Sequence, residues 1–459
     1  MSLESAERPP APIDPLGSER TVLIIGAGPA GLAAARAMTA RGLRYDHVEK
    51  HSGIGGLWDI ERTDGPLYNS AHFNSSRTLS AYNDFPFDDE LPDYPRHDQI
   101  LDYLRAFADR HGLVDRIRFG VTVESIDKTS DGSWTATFDD LSAATYSAVV
   151  CSSGTQWTAN MPEIPGDFTG EVRHAMTYRD PAELRSKRVL VVGAGASGCD
   201  LATDAARHAD RAAISMRRGY WFIPKHILGK PADVFGASGP HLPMWLQQKL
   251  FPLLLRFIEG DLTQLGLQKP DHKIFEVHPT VNSTVVHHLR HGDLAAYPAI
   301  ADTSGRTVSF VDGTSAEFDL ILCATGYRHT IAYAQKYFGN EQHPDLYLST
   351  FSRAHHNLFG VGFVETNSSA FPLFDTMAQM VAGYLDDQVT RPAAAEEMAQ
   401  MIRTDRPDLS GGIRFDSAPR HIGYVDSVPL HTYLTKIVEK MGWTATAQHH
   451  RSDVRSRMF

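Results

Sequence analysis

The sequence predicts an α/β protein built from two Rossmann-like dinucleotide-binding domains, one of them inserted into the other. An apolar run, Thr21–Ile25, leads into a glycine-rich turn and then into an alanine-rich helix over Leu32–Arg41. A second apolar run, Arg188–Val192, leads into another glycine-rich turn and a helical segment over Cys199–Arg207. An apolar strand followed by a glycine turn and a helix opens a parallel βαβ unit. Two openings so far apart indicate two nucleotide-binding domains rather than a short-period repeat.

Two further apolar runs indicate where the chain passes between the domains. Tyr146–Gly154 and Phe318–Gly326 both end at a glycine, and each follows an Asp-Gly pair typical of a β-hairpin. We therefore expect the chain to return to the first domain near Thr325. The predicted parts are a flexible leader, a discontinuous first domain, an inserted domain with its own substrate-side insertion, and a flexible tail. Their residues are 1–19, then 20–165 with 327–443, then 166–326 with the insertion at about 222–300, and finally 444–459.

Composition excludes several classes of partner and function. The chain of 459 residues carries a net charge of −11 and has no basic block, which argues against nucleic acid. The longest apolar cluster, Leu250–Ile258, is too short to span a bilayer, so we expect a partly buried helix there and no stable membrane insertion. Cys151, Cys199 and Cys323 lie far apart in or beside apolar runs, so we expect buried thiols and a cytoplasmic protein. The lack of a Cys-x-x-Cys pair excludes a disulfide reductase.

The first glycine turn has the pattern of a pyrophosphate-binding loop. Gly26 permits the tight turn, Gly28 lets the backbone approach a pyrophosphate, and Gly31 allows close packing of helix on strand. The helix that follows offers free N–H groups to the phosphates. Glu49 ends the next predicted strand, about 20 residues on, where a carboxylate can accept hydrogen bonds from ribose hydroxyls. This domain is therefore predicted to bind an adenine dinucleotide without a 2′-phosphate.

The second turn carries a different discriminating side chain. Its glycine pattern lies within residues 193–198, and its members are Gly193, Gly195, Ser197 and Gly198. Arg217 and Arg218 end the next predicted strand, in the place that Glu49 takes in the first domain. Guanidinium groups pair with a 2′-phosphate, so the second domain is predicted to bind NADPH.

A motif between the two turns points to a family. Phe168, Gly170, His174 and Tyr178 form the pattern F-x-G-x-x-x-H-x-x-x-Y. This pattern resembles the identifying sequence of flavin-containing monooxygenases, whereas related Baeyer–Villiger monooxygenases usually carry tryptophan at the last position. We expect His174 to be a hydrogen-bonded residue of the linker.

Other segments resemble the same family, from about Leu23 to Tyr327. Gly55-Gly56-Leu57-Trp58 matches a loop that packs over the flavin side of FAD, and residues 68–87 match a stretch that ends in D-F-P-F and places Asn74 on an active-site asparagine. Residues 216–221, which begin with Met216, resemble T-R-R-G-x-W, and Ala324-Thr325-Gly326-Tyr327 matches A-T-G-Y. The chain departs from the family pattern at Ala196, Phe73, Ser76 and Ser80, and it lacks a Gln-x-Arg after Phe374.

The resemblance implies an NADPH-binding domain inserted into an FAD-binding domain. It implies that NADPH reduces FAD, that reduced flavin takes up O₂ as a C4a-hydroperoxide, and that one oxygen atom passes to an amine nitrogen or a sulfide sulfur of a small molecule. The Asn74 amide is then expected to stabilise the reacting oxygens without titrating. Gly56, Leu57 and Trp58 are expected at FAD, and Thr325 and Gly326 at a cofactor.

Several alternatives remain open at this point. A Baeyer–Villiger monooxygenase acting on ketones and an uncoupled NADPH oxidase are the other functions considered. A homodimer is the default oligomer. His287 and His291 have a zinc-like spacing but no third ligand nearby, so a solvated helix face and no metal are predicted. The aromatic residues of the insertion are expected to pack in a core rather than to line a pocket: Trp245, Phe251 and Phe257.

Overall fold

The computed structural model describes residues 21–239, 242–340, 343–416 and 423–443, so the leader and tail predicted at 1–19 and 444–459 lie outside the described residues. The helices in chain order are α1 (Pro29–Ala40), α2 (Arg77–Ser80), α3 (His97–Arg110), α4 (Ala196–His208), α5 (Ala232–Ser238), α6 (Met244–Glu259), α7 (Thr284–His291), α8 (Gln335–Phe338), α9 (Phe371–Thr390), α10 (Pro392–Thr404) and α11 (Ser427–Met441).

The strands fall into three stretches of the chain. The first stretch holds β1 (Val22–Ile25), β2 (Tyr45–Glu49), β3 (Ile117–Phe119), β4 (Val123–Lys128), β5 (Trp134–Phe138), β6 (Ala143–Tyr146) and β7 (Ala148–Cys151). The second holds β8 (Thr158–Ala159), β9 (Asp167–Phe168), β10 (Glu171–His174), β11 (Arg188–Val192), β12 (Arg211–Ser215), β13 (Phe222–Ile223), β14 (His226–Ile227), β15 (Lys230–Pro231), β16 (Thr280–Val281), β17 (Leu294–Tyr297), β18 (Ile300–Gly305), β19 (Thr307–Phe310), β20 (Ser315–Glu317) and β21 (Leu320–Cys323). The third holds β22 (Tyr327–Arg328), β23 (Gly339–Asn340), β24 (His343–Pro344), β25 (Leu346–Tyr347), β26 (Phe351–Ser352) and β27 (Leu358–Gly360).

The first sheet has β1 near its centre, in the order β25-β26-β27-β7-β1-β2-β3. β1 pairs in parallel with β2 and β7, as its apolar run predicts. Successive side chains of β1 point to opposite faces. Val22 and Ile24 pack into the core beneath α1 and α9, whereas Leu23 and Ile25 pack against the β4–β6 meander.

The second sheet repeats this arrangement in the order β10-β21-β11-β12-β17, with every pair parallel. Val189 and Val191 of β11 join the core that contains α4 and α7, and Leu190 joins a separate cluster with the β18–β20 ladder. Both sheets are therefore covered on two faces, as expected for doubly wound α/β domains.

One short ribbon joins the two sheets. β8, on the way out of the first sheet, pairs antiparallel with β22, on the way back from the second. Beside this pairing, the hydroxyl oxygens of Thr158 and Thr330 lie 2.7 Å apart. The chain thus leaves and re-enters the first domain at one place, which confirms the predicted insertion of one dinucleotide domain into the other.

The predicted apolar helix around Leu250–Ile258 forms as α6, but its exposure differs from the expectation. Trp245 is 61% exposed and Phe257 is 88% exposed, so the prediction that they pack in a core is wrong. The cluster beneath α6 is small, and Leu255 is the buried residue of the helix. Phe251 packs partly against this cluster. Among the described residues, none of the helices has the length and apolar character needed to cross a bilayer.

Two smaller expectations are confirmed. Cys151, Cys199 and Cys323 are free and buried. His287 and His291 share the exposed side of α7, with their ring centroids 4.1 Å apart.

The glycine at the start of α1 gives a direct test of the close helix–strand packing. A Cβ at Gly31 would lie 1.8 Å from the carbonyl oxygen of Gly26. Gly31→Ala is therefore expected to lower the free energy of unfolding by about 3 kcal/mol or more, because the helix must move off the turn. The measurement is urea unfolding of the purified protein. Gly236→Ala is the control, since a Cβ at Gly236 in α5 meets nothing within 4 Å, and it should leave stability unchanged or raise it by about 0.5–1 kcal/mol. Equal effects of the two variants would contradict the packing argument.

Candidate active site

The first glycine turn leaves no room for side chains. Gly26 has a φ of 103°, and a Cβ there would lie 2.7 Å from the carbonyl oxygen of Ser152. Gly28 precedes α1 in an extended conformation without a side-chain cap. The amide groups at the start of α1 are therefore available to an anion.

Glu49 lies beside this turn at the end of β2, where the sequence places it. Its side chain is buried, and its two oxygens accept hydrogen bonds from the amides of Ala27 at 2.7 Å and His51 at 2.9 Å. The guanidinium of Arg62 lies 3.7 Å away. The carboxylate is thus held at the mouth of the turn in an electropositive setting.

The Gly-Gly-Leu-Trp loop forms a cradle over the same turn. The Gly55 amide donates to the Ala27 carbonyl oxygen at 3.0 Å, and a Cβ at Gly56 would lie 2.8 Å from the Cα of Gly28. Gly56, Leu57 and Trp58 form one turn of 3₁₀ helix, and Leu57 and Trp58 are both half-buried.

Two orphaned polar atoms suit a bound dinucleotide at this place. Within the described residues, the buried Oγ of Ser152 and one buried Nη of Arg62 have no hydrogen-bond partner. Ser152 adjoins the turn and Arg62 adjoins Glu49, so a ligand with phosphate and ribose oxygens would satisfy both. The residues present therefore fit FAD.

The Asn74 loop is joined to the cradle through aromatic rings. Trp58 meets Phe73 edge to face with ring centroids 4.9 Å apart, and Phe73 also packs on Phe87 and Phe371. The side chain of Asn74 is exposed and makes no hydrogen bond within the described part of the chain. The structure thus places Asn74 one residue from a ring that contacts the Gly-Gly-Leu-Trp loop.

A buried ion cluster fixes the segment that follows Asn74. Arg36 of α1 donates to Asp84 at 2.6 Å and also to Asp375 of α9, and both Arg36 and Asp375 are buried. The amide of Asn83 donates to Asp375 at 3.2 Å. The sequence analysis missed this cluster, because its three charges lie far apart along the chain.

The second glycine turn has the same geometry as the first. Gly193 has a φ of 111°, and its Cβ would lie 2.5 Å from the carbonyl oxygen of Ala324. A Cβ at Gly198 would lie 2.0 Å from the carbonyl oxygen of Gly193. Gly195 precedes α4 without a side-chain cap, and Ser197 is half-buried in the first turn of that helix.

Thr325 and Gly326 hold the connecting ribbon against this turn. The Thr325 hydroxyl donates to the carbonyl oxygen of Asn160 at 2.7 Å, and the Asn160 amide donates to that of Gly326 at 3.0 Å. Both residues follow directly on Ala324, so they lie where the crossover meets the second turn.

The two arginines after β12 differ in their surroundings. Arg217 is exposed and makes no ion pair with any described residue. Arg218 instead donates to Asp271 at 2.6 Å and to Asp416 at 2.7 Å. The structure therefore leaves the Arg217 guanidinium open and uses Arg218 to hold two other segments together.

The F-x-G-x-x-x-H-x-x-x-Y motif builds the junction between the domains. A Cβ at Gly170 would lie 2.6 Å from the ring of Phe168, so the close approach of this ring requires glycine. His174 Nδ1 accepts a hydrogen bond from the Met176 amide at 3.1 Å, and burial lowers the pKa of His174, with a backbone hydrogen bond to Gly326 opposing the shift. His174 is thus a hydrogen-bonded linker residue, as expected.

Tyr178 completes the motif by bonding to α4. Its hydroxyl donates to Asp204 at 2.9 Å, and Ser70 of the first domain donates to the same carboxylate at 2.5 Å. One turn earlier on α4, Asp200 accepts from the hydroxyl of Tyr68 at 2.9 Å. Two aspartates spaced by four on one helix therefore bind the first domain to the second.

Two charged groups near this contact were also missed by the sequence analysis. Arg179 donates to the carbonyl oxygens of Leu67 at 3.0 Å and Thr63 at 2.9 Å, which ties the linker to the first domain. Burial raises the pKa of Asp200 to about 6, with Lys225 opposing the shift. The signal that could have revealed this contact is the pair of acids at i and i+4 on an otherwise apolar helix face.

The known proteins that this chain resembles in sequence and in fold are named as monooxygenases. Residues 19–434 match the model of the flavin-binding monooxygenase-like family. The probable indole-3-pyruvate monooxygenase YUCCA9 of Arabidopsis thaliana is 32% identical over 67% of this chain and 75% of its own length. Flavin-containing monooxygenase 3 of Homo sapiens is 30% identical over 83% of this chain and 76% of its own length. A solved structure of oxidized steroid monooxygenase bound to NADP superposes with a TM-score of 0.70 at 19% identity, over 92% of this chain and 98% of that one.

The raised pKa of Asp200 predicts a dependence of stability on pH. A carboxyl group titrates near 3.9 in an unfolded chain, and in the folded protein Asp200 titrates at about 6. The folded state therefore binds more protons in this window, and its stability contribution from Asp200 falls as pH rises from about 4 to about 6. The difference in unfolding free energy between the wild type and Asp200→Asn should fall across this window and level off above it. Urea titrations at a series of pH values measure the difference, and one that is constant or rises with pH would contradict the prediction.

Proposed function

Because this chain belongs to the flavin-binding monooxygenase-like family, we propose that it is an FAD- and NADPH-dependent monooxygenase that transfers one oxygen atom of O₂ to nitrogen or sulfur of a small molecule. The observation that carries the proposal is the pair of glycine turns with opposite discriminating side chains, a buried carboxylate in one domain and an open guanidinium in the other. Bound NADPH supplies a hydride, and bound FAD supplies the group that reacts with O₂.

The first domain is proposed to hold FAD through backbone and one carboxylate. Gly26, Gly28 and Gly31 keep the backbone open to the pyrophosphate at the start of α1. Glu49 accepts hydrogen bonds from the ribose hydroxyls in exchange for part of its present contacts with amides. The loop Gly56–Trp58 covers the flavin side and keeps bulk water away from it.

The second domain is proposed to hold NADPH in the same manner. Gly193, Gly195, Ser197 and Gly198 place the α4 amides at the pyrophosphate, and Thr325 and Gly326 border that site. Arg217 pairs with the 2′-phosphate, because its guanidinium is open. Arg218 is proposed to support the NADPH site indirectly, because its guanidinium already donates hydrogen bonds to Asp271 and Asp416.

Asn74 is proposed to stabilise the reacting oxygens. Its amide can both donate and accept a hydrogen bond, and it has no titrating proton that would promote early release of peroxide. Its exposure and its lack of a partner among the described residues leave the amide free to make that contact.

The remaining proposals concern organisation. We place the domain boundaries at residues 165–166 and 326–327, close to the β8–β22 ribbon. The buried free thiols suit a cytoplasmic location, and a homodimer is the simplest assembly.

The test of the function is the fate of NADPH. The purified protein is given NADPH and O₂ with either methyl phenyl sulfide or trimethylamine, and oxygenated product, H₂O₂ and NADPH consumption are measured together. Product close to one equivalent of NADPH supports the proposal. Formation of one equivalent of H₂O₂ for each NADPH consumed, with both probes, would favour an NADPH oxidase. Oxygen insertion into cyclohexanone without reaction of either probe would favour a Baeyer–Villiger enzyme.

Replacement of Asn74 tests its role. Asn74→Asp puts a negative charge beside the reacting oxygens, so we expect NADPH to be consumed with mostly H₂O₂ as product and with oxygenation reduced by about 100-fold. FAD content and the anaerobic rate of flavin reduction by NADPH should stay at wild-type levels, which shows that both cofactors still bind. Unchanged coupling would exclude a role for Asn74.

Replacement of Arg217 tests the preference for NADPH. Arg217→Ala removes a charge-assisted hydrogen bond worth about 1.5–3 kcal/mol, so kcat/KM for NADPH should fall by about 10- to 100-fold while that for NADH stays constant. Arg207→Ala is the matched control, because Arg207 is an exposed arginine at the opposite end of α4. A similar loss with NADPH and NADH, or an equal effect of the two variants, would contradict recognition of the 2′-phosphate by Arg217.

A further inference from the structure

The insertion within the second domain contacts the loop that carries Asn74. Asp233, at the start of α5, accepts a hydrogen bond from the amide of Ser76 at 2.6 Å. Ser76 lies two residues after Asn74 and immediately before α2. A carboxylate of the inserted domain thus holds the backbone of the loop on which the proposed active-site amide lies.

The two sides of this loop are anchored differently. On the N-terminal side, the Phe73 amide donates to the Pro95 carbonyl oxygen at 3.0 Å, and the Phe73 ring is buried. Both of these contacts lie within the first domain. On the C-terminal side, the backbone amide of Ser76 is bound by Asp233 from the insertion, and the next amide, that of Arg77, donates to the Asp93 carbonyl oxygen of the first domain at 2.8 Å. Asn74 lies between these anchors and has no side-chain partner among the described residues, so its place in the site is set by the backbone on either side of it.

The position of Asp233 is itself well fixed. One of its carboxylate oxygens accepts from the Val234 amide at 2.8 Å, while the other accepts from Ser76. The start of the insertion is held on the first domain by the hydroxyl of Tyr94, which donates to the Lys225 carbonyl oxygen at 2.5 Å. A second contact joins His226 Nε2 to Asp93 at 3.0 Å. The carboxylate is therefore presented to the loop by a segment with its own anchors.

We propose that Asp233 is a positioning residue that holds the Asn74 amide toward the reacting oxygens through the Ser76 backbone. This inference rests on the proposed function of Asn74. A hydrogen bond to a carboxylate is about twice as strong as one between neutral groups, so its loss frees the Ser76 amide and moves the nearest anchor on this side of the loop to Arg77, one residue further from Asn74. The insertion thereby acts on the oxygen chemistry through the loop that carries Asn74.

Three variants of the full-length protein test the proposal. Asp233→Ala removes the acceptor. Asp233→Asn keeps a neutral oxygen acceptor at the same place and should restore most of the function. Asp261→Ala is the matched control, because Asp261 accepts from the Thr263 amide at 3.1 Å and caps a turn that belongs wholly to the insertion. Melting temperature and FAD content are measured for each variant to establish that it is folded and loaded.

The first readout does not depend on catalysis. Amide hydrogen exchange is followed by mass spectrometry in a peptide that spans residues 73–80. Asp233→Ala should speed exchange in this peptide by about tenfold or more, whereas Asp261→Ala should change it by less than about twofold. Unchanged exchange in Asp233→Ala would overturn the proposal.

The second readout is the release of H₂O₂ when NADPH and O₂ are supplied without substrate. Asp233→Ala should raise this background oxidation by about tenfold, because a small misplacement of the Asn74 amide has a large effect on the step in which it acts. The anaerobic rate of flavin reduction by NADPH, a step in which Asn74 is not proposed to act, should stay within about twofold of the wild-type rate. Asp233→Asn should lie close to the wild type. If the wild type itself oxygenates neither probe, the proposed function fails; if the wild type oxygenates a probe and Asp233→Ala releases no more H₂O₂ than the wild type, the positioning role fails and the function stands.

Discussion

In both dinucleotide domains, the glycine after the first strand lies against a backbone carbonyl group of the neighbouring strand's end. Gly26 rests on Ser152 and Gly193 rests on Ala324, each so closely that a Cβ could not be placed between them. Ser152 and Ala324 are also the residues from which the chain sets out toward β8 and β22. The same contacts therefore fix the two glycine turns and the start of each crossover.

One helix of the second domain, α4, makes a group of polar contacts with the first domain. α4 begins at the second glycine turn, and Asp200 and Asp204 on one side of it accept hydrogen bonds from the hydroxyl groups of Tyr68, Ser70 and Tyr178. Burial of a carboxyl group without a cationic partner in contact costs free energy unless its oxygens are hydrogen-bonded. These hydroxyl groups satisfy that requirement without closing an ion pair. The end of the helix that is proposed to bind phosphate is thus held directly against the domain that is proposed to bind the flavin.

The features that could be predicted from the sequence are those determined by residues close together along the chain. The turn at Gly26, the carboxylate at Glu49 and the strand–turn–helix units follow from local patterns, and the structure has them where they were predicted. Contacts such as Asp233 with Ser76 could not be predicted, because they join residues far apart in the chain and carry no periodic signal. The exposure of Phe257 was misjudged for another reason: a helix pattern gives the apolar face but not the size of the core beneath it. The roles of the predicted site residues at the two cofactors remain proposals.

The connectivity of the first sheet has a consequence for synthesis on the ribosome. β7 pairs with β1 on one side and with β27 on the other, and α9, which covers the face above β1, lies beyond the whole inserted domain. The first half of this sheet therefore emerges with an open edge and an uncovered apolar face, and it stays so until the chain has been made to residue 390. The second sheet, whose strands lie between residues 171 and 323, can close earlier. The inserted domain is thus expected to fold first in the nascent chain. The N-terminal half of the first sheet can complete its folding only after β25–β27 and α9 have been synthesised.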